Sequence, residues 1–288
     1  MHTTLLSAHE LQQLADSRQP LLVMDCSFDL MNPAAGRQQY EAAHIPGAVY
    51  VDLDADLSEK AGGDRASGGR HPLPSRERFA ARLRALGLDS GTQVVAMDRQ
   101  GANYCGRLWW MLKWCGHEAV AVLDGGLAAW QAAGGASASG PSPAPAAPGN
   151  FALGPPLVRT VEAREIASRL GHPGLTVVDA RAAARFRGEV EPLDPVAGHI
   201  PGALNRPFTD NIGPDGRFRP AAELRADFER LLAGRDPASV VHQCGSGVSA
   251  IPNLLAMEIA GLGRSALFPG SWSEWCNTPG LPCASARV

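Results

Sequence analysis

The residue best placed to do chemistry in this sequence is Cys244, which ends an apolar, strand-like run and precedes a glycine-rich turn and an apolar helical stretch. A thiol at this position faces backbone N–H groups that lack a partner within the helix, near the positive end of the helix dipole. Gly245 and Gly247 let the loop turn tightly and direct successive amides towards the sulfur. Both effects favour a thiolate, so the pattern predicts a nucleophilic cysteine. The alternative, a buried core cysteine, does not account for the Gly-Ser-Gly that follows the sulfur.

The sequence contains two copies of one series of motifs. The segment 94–98, Val-Val-Ala-Met-Asp, matches 240–244, Val-Val-His-Gln-Cys, so Asp98 stands where the second copy has its cysteine. His-Ile-Pro-Gly-Ala begins at His44 and again at His199. Because both histidines are present whether or not the copy has a nucleophile, we expect them to be structural. One supersecondary unit has been duplicated, and its first copy has lost the nucleophile.

These motifs resemble those of the tandem-domain rhodanese family of sulfurtransferases, and the likeness covers nearly the whole chain. It rests on His-Ile-Pro-Gly-Ala in both halves, Asp-Gly-Gly at 124–126, Pro-Gly-Ser-Trp-Ser-Glu-Trp at 269–275 and Cys-Gly-Ser-Gly-Val-Ser at 244–249. This loop is most similar to the Cys-Gly-Ser-Gly-Val-Thr form of 3-mercaptopyruvate sulfurtransferases, whereas thiosulfate sulfurtransferases usually carry basic residues after the cysteine. The resemblance implies an α/β fold with two tandem rhodanese-like domains, each a parallel sheet with helices on both faces.

The alternation of short β-branched runs with helical stretches in each half predicts the same architecture. A Pro-, Ala- and Gly-rich segment between the halves predicts a linker at 141–156. We therefore expect an inactive domain at 1–140 and a catalytic domain at 157–288, as a length of 288 residues allows. Ligands of such sheets bind beyond the carboxyl ends of the strands, where the sequence places Cys244.

Composition and charge exclude several classes of protein. A hydrophobic content of 45% with 19% charged residues is typical of a soluble globular protein. The net charge of −3 argues against nucleic acid or an anionic membrane as a partner. The six cysteines show no spacing typical of zinc sites or disulfide frameworks, which favours a reducing compartment. Since we find neither a signal peptide nor a membrane-spanning apolar run, we expect a cytoplasmic protein.

An arginine-rich segment before the second His-Ile-Pro-Gly motif offers groups that bind anions, because a guanidinium can hold a carboxylate or sulfonate through two N–H groups. By resemblance, Arg185 matches the family's substrate-binding arginine. Arg187 is a further candidate, with an ordinary ion pair as the alternative. Mercaptopyruvate-type enzymes often carry a second arginine after a Glu-Pro pair, where this chain has Leu193 and Asp194. Arg187 or Arg206 is then the candidate to replace it.

The resemblance also implies that the loop after the cysteine surrounds the donor, through Gly245, Gly247, Val248 and Ser249. Ser246 can donate its hydroxyl to the leaving group or to a persulfide. In mercaptopyruvate enzymes this serine is grouped with a histidine and an aspartate of the first domain, which match His71 and Asp54 here. The alternative for His71 is an ordinary surface histidine.

Three functions compete for this site. The first is a transferase that moves a sulfane sulfur from a small anionic donor, 3-mercaptopyruvate or thiosulfate, through a Cys244 persulfide to cyanide or a thiol such as a thioredoxin-like protein or a small thiol. This chemistry needs no metal or organic cofactor. A cysteine phosphatase would need an arginine where this loop has Ala250. A non-catalytic binding module fits Asp98 in the first copy, but the intact cysteine loop argues against it in the second.

Overall fold

The structure, a computed structural model, describes residues 1–142 and 144–285 and divides the chain into two compact units. The first unit consists of Met1–Asp64, Pro74–Leu157 and Pro214–Phe218, and the second of Arg65–Leu73, Val158–Gly213 and Arg219–Val288. Each unit therefore contains one short segment from the other half of the sequence. Pro143 of the predicted linker and the last three residues of the predicted second domain lie outside the described residues.

The first unit is built on a five-stranded parallel sheet. Its strands are β1 (Leu5–Leu6), β2 (Leu21–Asp25), β3 (Val49–Tyr50), β4 (Gln93–Met97) and β5 (Val120–Leu123). They lie in the order β1-β5-β4-β2-β3. Every residue of β4 and β5 is buried, as expected for central strands of a parallel sheet that is covered on both faces.

Five helices flank this sheet: α1 (Ala8–Asp16), α2 (Ala34–Ala42), α3 (Arg76–Ala85), α4 (Cys105–Trp114) and α5 (Gly126–Ala132). Helix α1 begins with a capping box, in which Ser7 and Glu10 each bind the other's backbone N–H. Helix α4 is buried along its whole length, including Trp109 and Trp110. It follows β4 directly, so its N-terminus lies at the carboxyl end of a central strand.

The second unit repeats this plan with four parallel strands. These are β6 (Thr176–Asp179), β7 (Leu204–Asn205), β8 (Val240–Gln243) and β9 (Ala266–Leu267), in the order β7-β6-β8-β9. The α-helices are α6 (Ala163–Ser168), α7 (Ala183–Phe186), α8 (Ala221–Leu232), α9 (Ile251–Ile259) and α10 (Ser271–Trp275). The predicted α/β class is thus confirmed. Within the described part of the chain, no helix has the length and apolar composition needed to cross a bilayer.

The segment predicted to be a linker is mostly exposed, but part of it contacts the first unit. Phe151 is buried, and its N–H donates to the carbonyl of Leu88 at 3.0 Å. A Cβ on Gly149 would overlap that same carbonyl, so only glycine fits there. Close backbone packing therefore explains the glycine at 149, while residues 144–148 are exposed. The boundaries at 140 and 156 stay a prediction.

The two repeated histidines are structural, as predicted. Nδ1 of His44 lies 2.8 Å from the carbonyl oxygen of Tyr40, and its ring stacks on the Tyr40 ring at 4.1 Å. Nδ1 of His199 lies 2.8 Å from the carbonyl oxygen of Phe186, with its ring stacked at 3.9 Å. Each imidazole therefore fixes the turn that leads into the next strand.

Candidate active site

Cys244 follows the last residue of β8, at the carboxyl end of a central strand, and is buried. Its backbone N–H donates to Oγ of Ser271 at 3.1 Å, and its carbonyl accepts the N–H of Trp272 at 3.0 Å. The start of α10 therefore fixes the backbone of the cysteine from one side.

The loop between Cys244 and α9 requires glycine at its centre. Gly247 has a φ of +74°, and a Cβ there would overlap the carbonyl oxygen of Pro269. Val248 is buried next to it, and Ser249 is half-buried. The loop can thus approach Pro269 closely only because residue 247 has no side chain.

Ser246 pairs with the histidine that the resemblance indicated. Its Oγ lies 2.7 Å from Nδ1 of His71, and both residues are buried. His71 belongs to the segment Arg65–Leu73, which is part of the second unit. Asp54 lies in the first unit, where its carboxylate pairs with Lys60 at 2.6 Å. A role for Asp54 in catalysis stays a prediction.

Two arginines of the arginine-rich segment differ in exposure: Arg185 is partly buried, and Arg187 lies on the surface. Nη2 of Arg185 lies 2.6 Å from Glu191, whose carboxylate also accepts the N–H groups of Leu193 and Asp194. Burial acts to raise the pKa of Glu191, but the Arg185 and backbone hydrogen bonds outweigh it, so the pKa is lowered and the group stays anionic. Arg187 instead pairs with Glu189 at 2.7 Å on the surface.

Arg70 also reaches this loop, although it is not among the residues expected there from the motifs. Its Nη1 lies 2.7 Å from Asp194, and its backbone N–H donates to Oγ of Ser273 at 3.0 Å. A methyl group built on Gly245 would lie 3.1 Å from Nη2 of Arg70 and 3.6 Å from Nη1 of Arg185. Two guanidinium groups therefore converge on the residue that follows Cys244. The sequence feature that could have indicated Arg70 is its position next to His71, in the same glycine-rich segment.

In the first repeat, the loop equivalent to the one after Cys244 binds the side chain of Asp98. The carboxylate of Asp98 is buried and accepts four backbone N–H groups at 2.8–3.0 Å, from Gln100, Ala102, Tyr104 and Cys105. Burial raises the pKa of Asp98, and the four amides act in the opposite direction by stabilising the anion. The corresponding positions after the cysteine in the second repeat are Ser246, Val248, Ala250 and Ile251.

His242 lies two residues before Cys244 and is buried without any contact with water. Its Nε2 lies 3.1 Å from the sulfur of Met257. Burial, assisted by the positive charge of Arg206, lowers the pKa of His242 to about 3. The side chain is therefore a neutral part of the core at physiological pH.

A family model described as "Rhodanese-like domain" matches residues 7–133 and 162–278, one match in each half of the chain. The chain belongs to the rhodanese family. This assignment confirms the resemblance, the two-domain α/β architecture and the duplication that the motifs indicated.

Named relatives of this rhodanese are sulfurtransferases. A Pseudomonas aeruginosa protein named "Probable 3-mercaptopyruvate sulfurtransferase" is 48% identical over 277 residues, which cover 95% of this chain and 96% of that protein. The Arabidopsis thaliana "Thiosulfate/3-mercaptopyruvate sulfurtransferase 1, mitochondrial" is 35% identical over 303 residues, covering 95% and 76%. The crystal structure of SseA from Escherichia coli, from work on 3-mercaptopyruvate sulfotransferases, superimposes with a TM-score of 0.78 at 31% identity, covering 95% of this chain and 100% of that one.

Proposed function

We propose that this rhodanese is a sulfurtransferase that moves a sulfane sulfur from 3-mercaptopyruvate, through a persulfide on Cys244, to a thiol or cyanide. The observation that carries the proposal is the loop itself. Its counterpart in the first repeat holds an anion with four backbone N–H groups, and Cys244 stands at the position of that anion. Backbone N–H groups arranged this way can act as hydrogen-bond donors to the group at position 244, where the proposed nucleophile stands.

In the first half-reaction, the Cys244 thiolate attacks the sulfur of 3-mercaptopyruvate. An S–S bond forms and the C–S bond breaks, with its electron pair passing to carbon as the enolate of pyruvate. A proton then converts the enolate to pyruvate, and the enzyme keeps a persulfide. The same attack on the outer sulfur of thiosulfate releases sulfite.

Ser246 and His71 are the residues proposed to stabilise the leaving group. With Nδ1 of His71 protonated, its N–H donates to Oγ of Ser246, which leaves the hydroxyl proton to donate to the developing enolate oxygen. The 2.7 Å distance between Oγ and Nδ1 supports this role. Asp54 is proposed as a further member of this group.

Arg185 is the proposed binding residue for the donor's carboxylate. It carries a permanent positive charge within reach of Gly245, and Glu191 holds its Nε and Nη2 in place. Because Arg187 pairs with exposed Glu189, its contribution to the donor is proposed to be smaller.

In the second half-reaction, a thiolate acceptor attacks the outer sulfur of the persulfide. The S–S bond breaks and its electron pair returns to Cys244, which regenerates the enzyme. A small thiol or a thioredoxin-like protein is the proposed physiological acceptor, and cyanide serves in the assay. We place this reaction in the cytoplasm and in the second domain, residues 157–288.

A second candidate function is thiosulfate:cyanide sulfurtransferase. It is favoured by Leu193, which contributes no charge where a second arginine for a carboxylate was expected. The side chains after the cysteine, in contrast, include no cation for the doubly charged thiosulfate, so 3-mercaptopyruvate remains the preferred donor.

The test is the Cys244→Ser variant, since a hydroxyl has similar shape but is a far weaker nucleophile. Intact mass after addition of donor should show one added sulfur in the parent and none in the variant. The control is Cys283→Ser, which removes an exposed thiol and should keep both the added sulfur and the turnover. Turnover of Cys244→Ser above about a tenth of the parent rate would contradict the proposal.

A further inference from the structure

Arg70 is held in one orientation by contacts of both its backbone and its side chain. The preceding Gly69 has a φ of +83°, and a Cβ on it would overlap the carbonyl oxygen of Gly270, at the start of α10. The Arg70 backbone is tied to Ser273 and its side chain to Asp194. The guanidinium is therefore positioned before any ligand arrives, which lowers the entropy cost of binding.

The two arginines that converge on Gly245 present different edges to it. Arg70 engages Asp194 through Nη1, and Arg185 engages Glu191 through Nε and Nη2. The nitrogens closest to a Cβ on Gly245 are Nη2 of Arg70 and Nη1 of Arg185. The acidic residues thus anchor both side chains, while Nη2 of Arg70 and both terminal nitrogens of Arg185 lie near the loop.

Apart from the sulfur of Cys244, the formal charges in this cluster balance. Three guanidiniums, of Arg70, Arg181 and Arg185, are paired with three carboxylates, of Asp179, Glu191 and Asp194. An anionic donor therefore does not enter a strongly positive pocket. It gains affinity through directed hydrogen bonds, and a carboxylate has two oxygens with which to bind two guanidinium nitrogens at once.

We propose that Arg70 is a second donor-binding arginine, which together with Arg185 holds the carboxylate of the donor over Gly245. Asp194 is the positioning residue that aims Arg70. The inference rests on the proposed function, because it takes a mercaptocarboxylate as the donor. It assigns the second cationic contact to the segment of the sequence that also supplies His71.

The first measurement is the rate of persulfide formation on Cys244 in single-turnover experiments with varied 3-mercaptopyruvate. Arg70→Gln should raise the donor concentration at half-maximal rate by at least about tenfold and lower the maximal rate less, because a charge-assisted contact is lost in binding. Arg70→Lys should recover part of the affinity, since it keeps the charge and loses the planar geometry. The control is Arg65→Gln, an exposed arginine of the same segment, which should match the parent.

A double variant separates donor binding from charge neutralisation. If Arg70 serves only to neutralise Asp194, then Arg70→Gln with Asp194→Asn should restore the parent's donor affinity. If Arg70 contacts the donor, the double variant should remain at least about tenfold weaker than the parent. A donor without a carboxylate, 1-mercaptopropan-2-one, should react with parent and Arg70→Gln at rates that differ by less than about twofold.

An unchanged donor affinity in Arg70→Gln, or full recovery in the double variant, overturns the role of Arg70. Either result leaves the sulfurtransferase function standing, because the parent still forms its persulfide. Loss of persulfide formation in the parent itself would instead overturn the proposed function.

Discussion

Replacing Asp98 by alanine should destabilise the first unit while leaving the sulfur chemistry of the second almost unchanged. The Asp98 carboxylate accepts four N–H groups at 2.8–3.0 Å in a buried site. Each hydrogen bond to a charged acceptor contributes roughly 1.5–3 kcal/mol, but the four share one group and are not additive. Water entering the vacated space recovers part of the loss. The free energy of unfolding should therefore fall by about 3–5 kcal/mol.

Urea unfolding of the full chain measures this loss, with tryptophan fluorescence as the signal, since Trp109 and Trp110 lie in α4 directly after the loop. Hydrogen exchange supplies a local readout, because the amides of Tyr104 and Cys105 should lose protection. The control is Asp16→Ala, an exposed aspartate at the end of α1, which should change stability by less than about 0.5 kcal/mol.

Added formate or acetate should stabilise Asp98→Ala more than the parent, because a small carboxylate can occupy the vacated amides. The reasoning is refuted if Asp98→Ala loses less than about 1 kcal/mol, or if its folded fraction transfers sulfur markedly more slowly than the parent.

Three further predictions concern the second unit. Arg185→Ala should lower kcat/KM for the donor about tenfold to 150-fold, from the loss of roughly 1.5–3 kcal/mol, and steady-state kinetics that show no change would exclude Arg185 as the donor's ligand. The parent should use 3-mercaptopyruvate at least about tenfold better than thiosulfate in kcat/KM, and Ser246→Lys should move this ratio towards thiosulfate; a parent that prefers thiosulfate would contradict the argument from the neutral loop. Because the pKa of His242 is lowered to about 3 in the fold, the unfolded chain binds a proton on this residue first as the pH falls. Between pH 7 and pH 5, the free energy of unfolding should therefore fall by about 2 kcal/mol because of His242. Urea midpoints at the two pH values measure this loss. His242→Gln should remove it, and His9→Gln, at an exposed histidine, should retain it.

Local sequence patterns were sufficient to predict the central strands. The matching runs 94–98 and 240–244 overlap the observed strands Gln93–Met97 and Val240–Gln243. Both strands are buried on two faces, as is typical of the centre of a parallel sheet. The two-residue strands β1, β3 and β7 carry no such local pattern, since their pairing depends on neighbours far away in the sequence.

Only part of the candidate site could be predicted from the sequence. The position of Cys244 followed from the strand, glycine and helix pattern, which is local. The pairing of Arg70 with Asp194 joins residues from opposite halves of the chain and carries no periodic signal. The sequence also could not distinguish the roles of Arg185 and Arg187, because the difference depends on which acidic side chain each arginine contacts.

The segments Arg65–Leu73 and Pro214–Phe218 occupy matching places in the two repeats, each between a His-Ile-Pro-Gly turn and the next long helix, and each belongs to the unit of the opposite repeat. The first half of the sequence therefore also supplies Arg70 and His71, which lie beside the loop after Cys244. Under the proposed function, the reaction depends on that half although it has no nucleophile of its own. A chain that lost the first repeat would also lose these side chains from its site, so the duplication would be difficult to reverse.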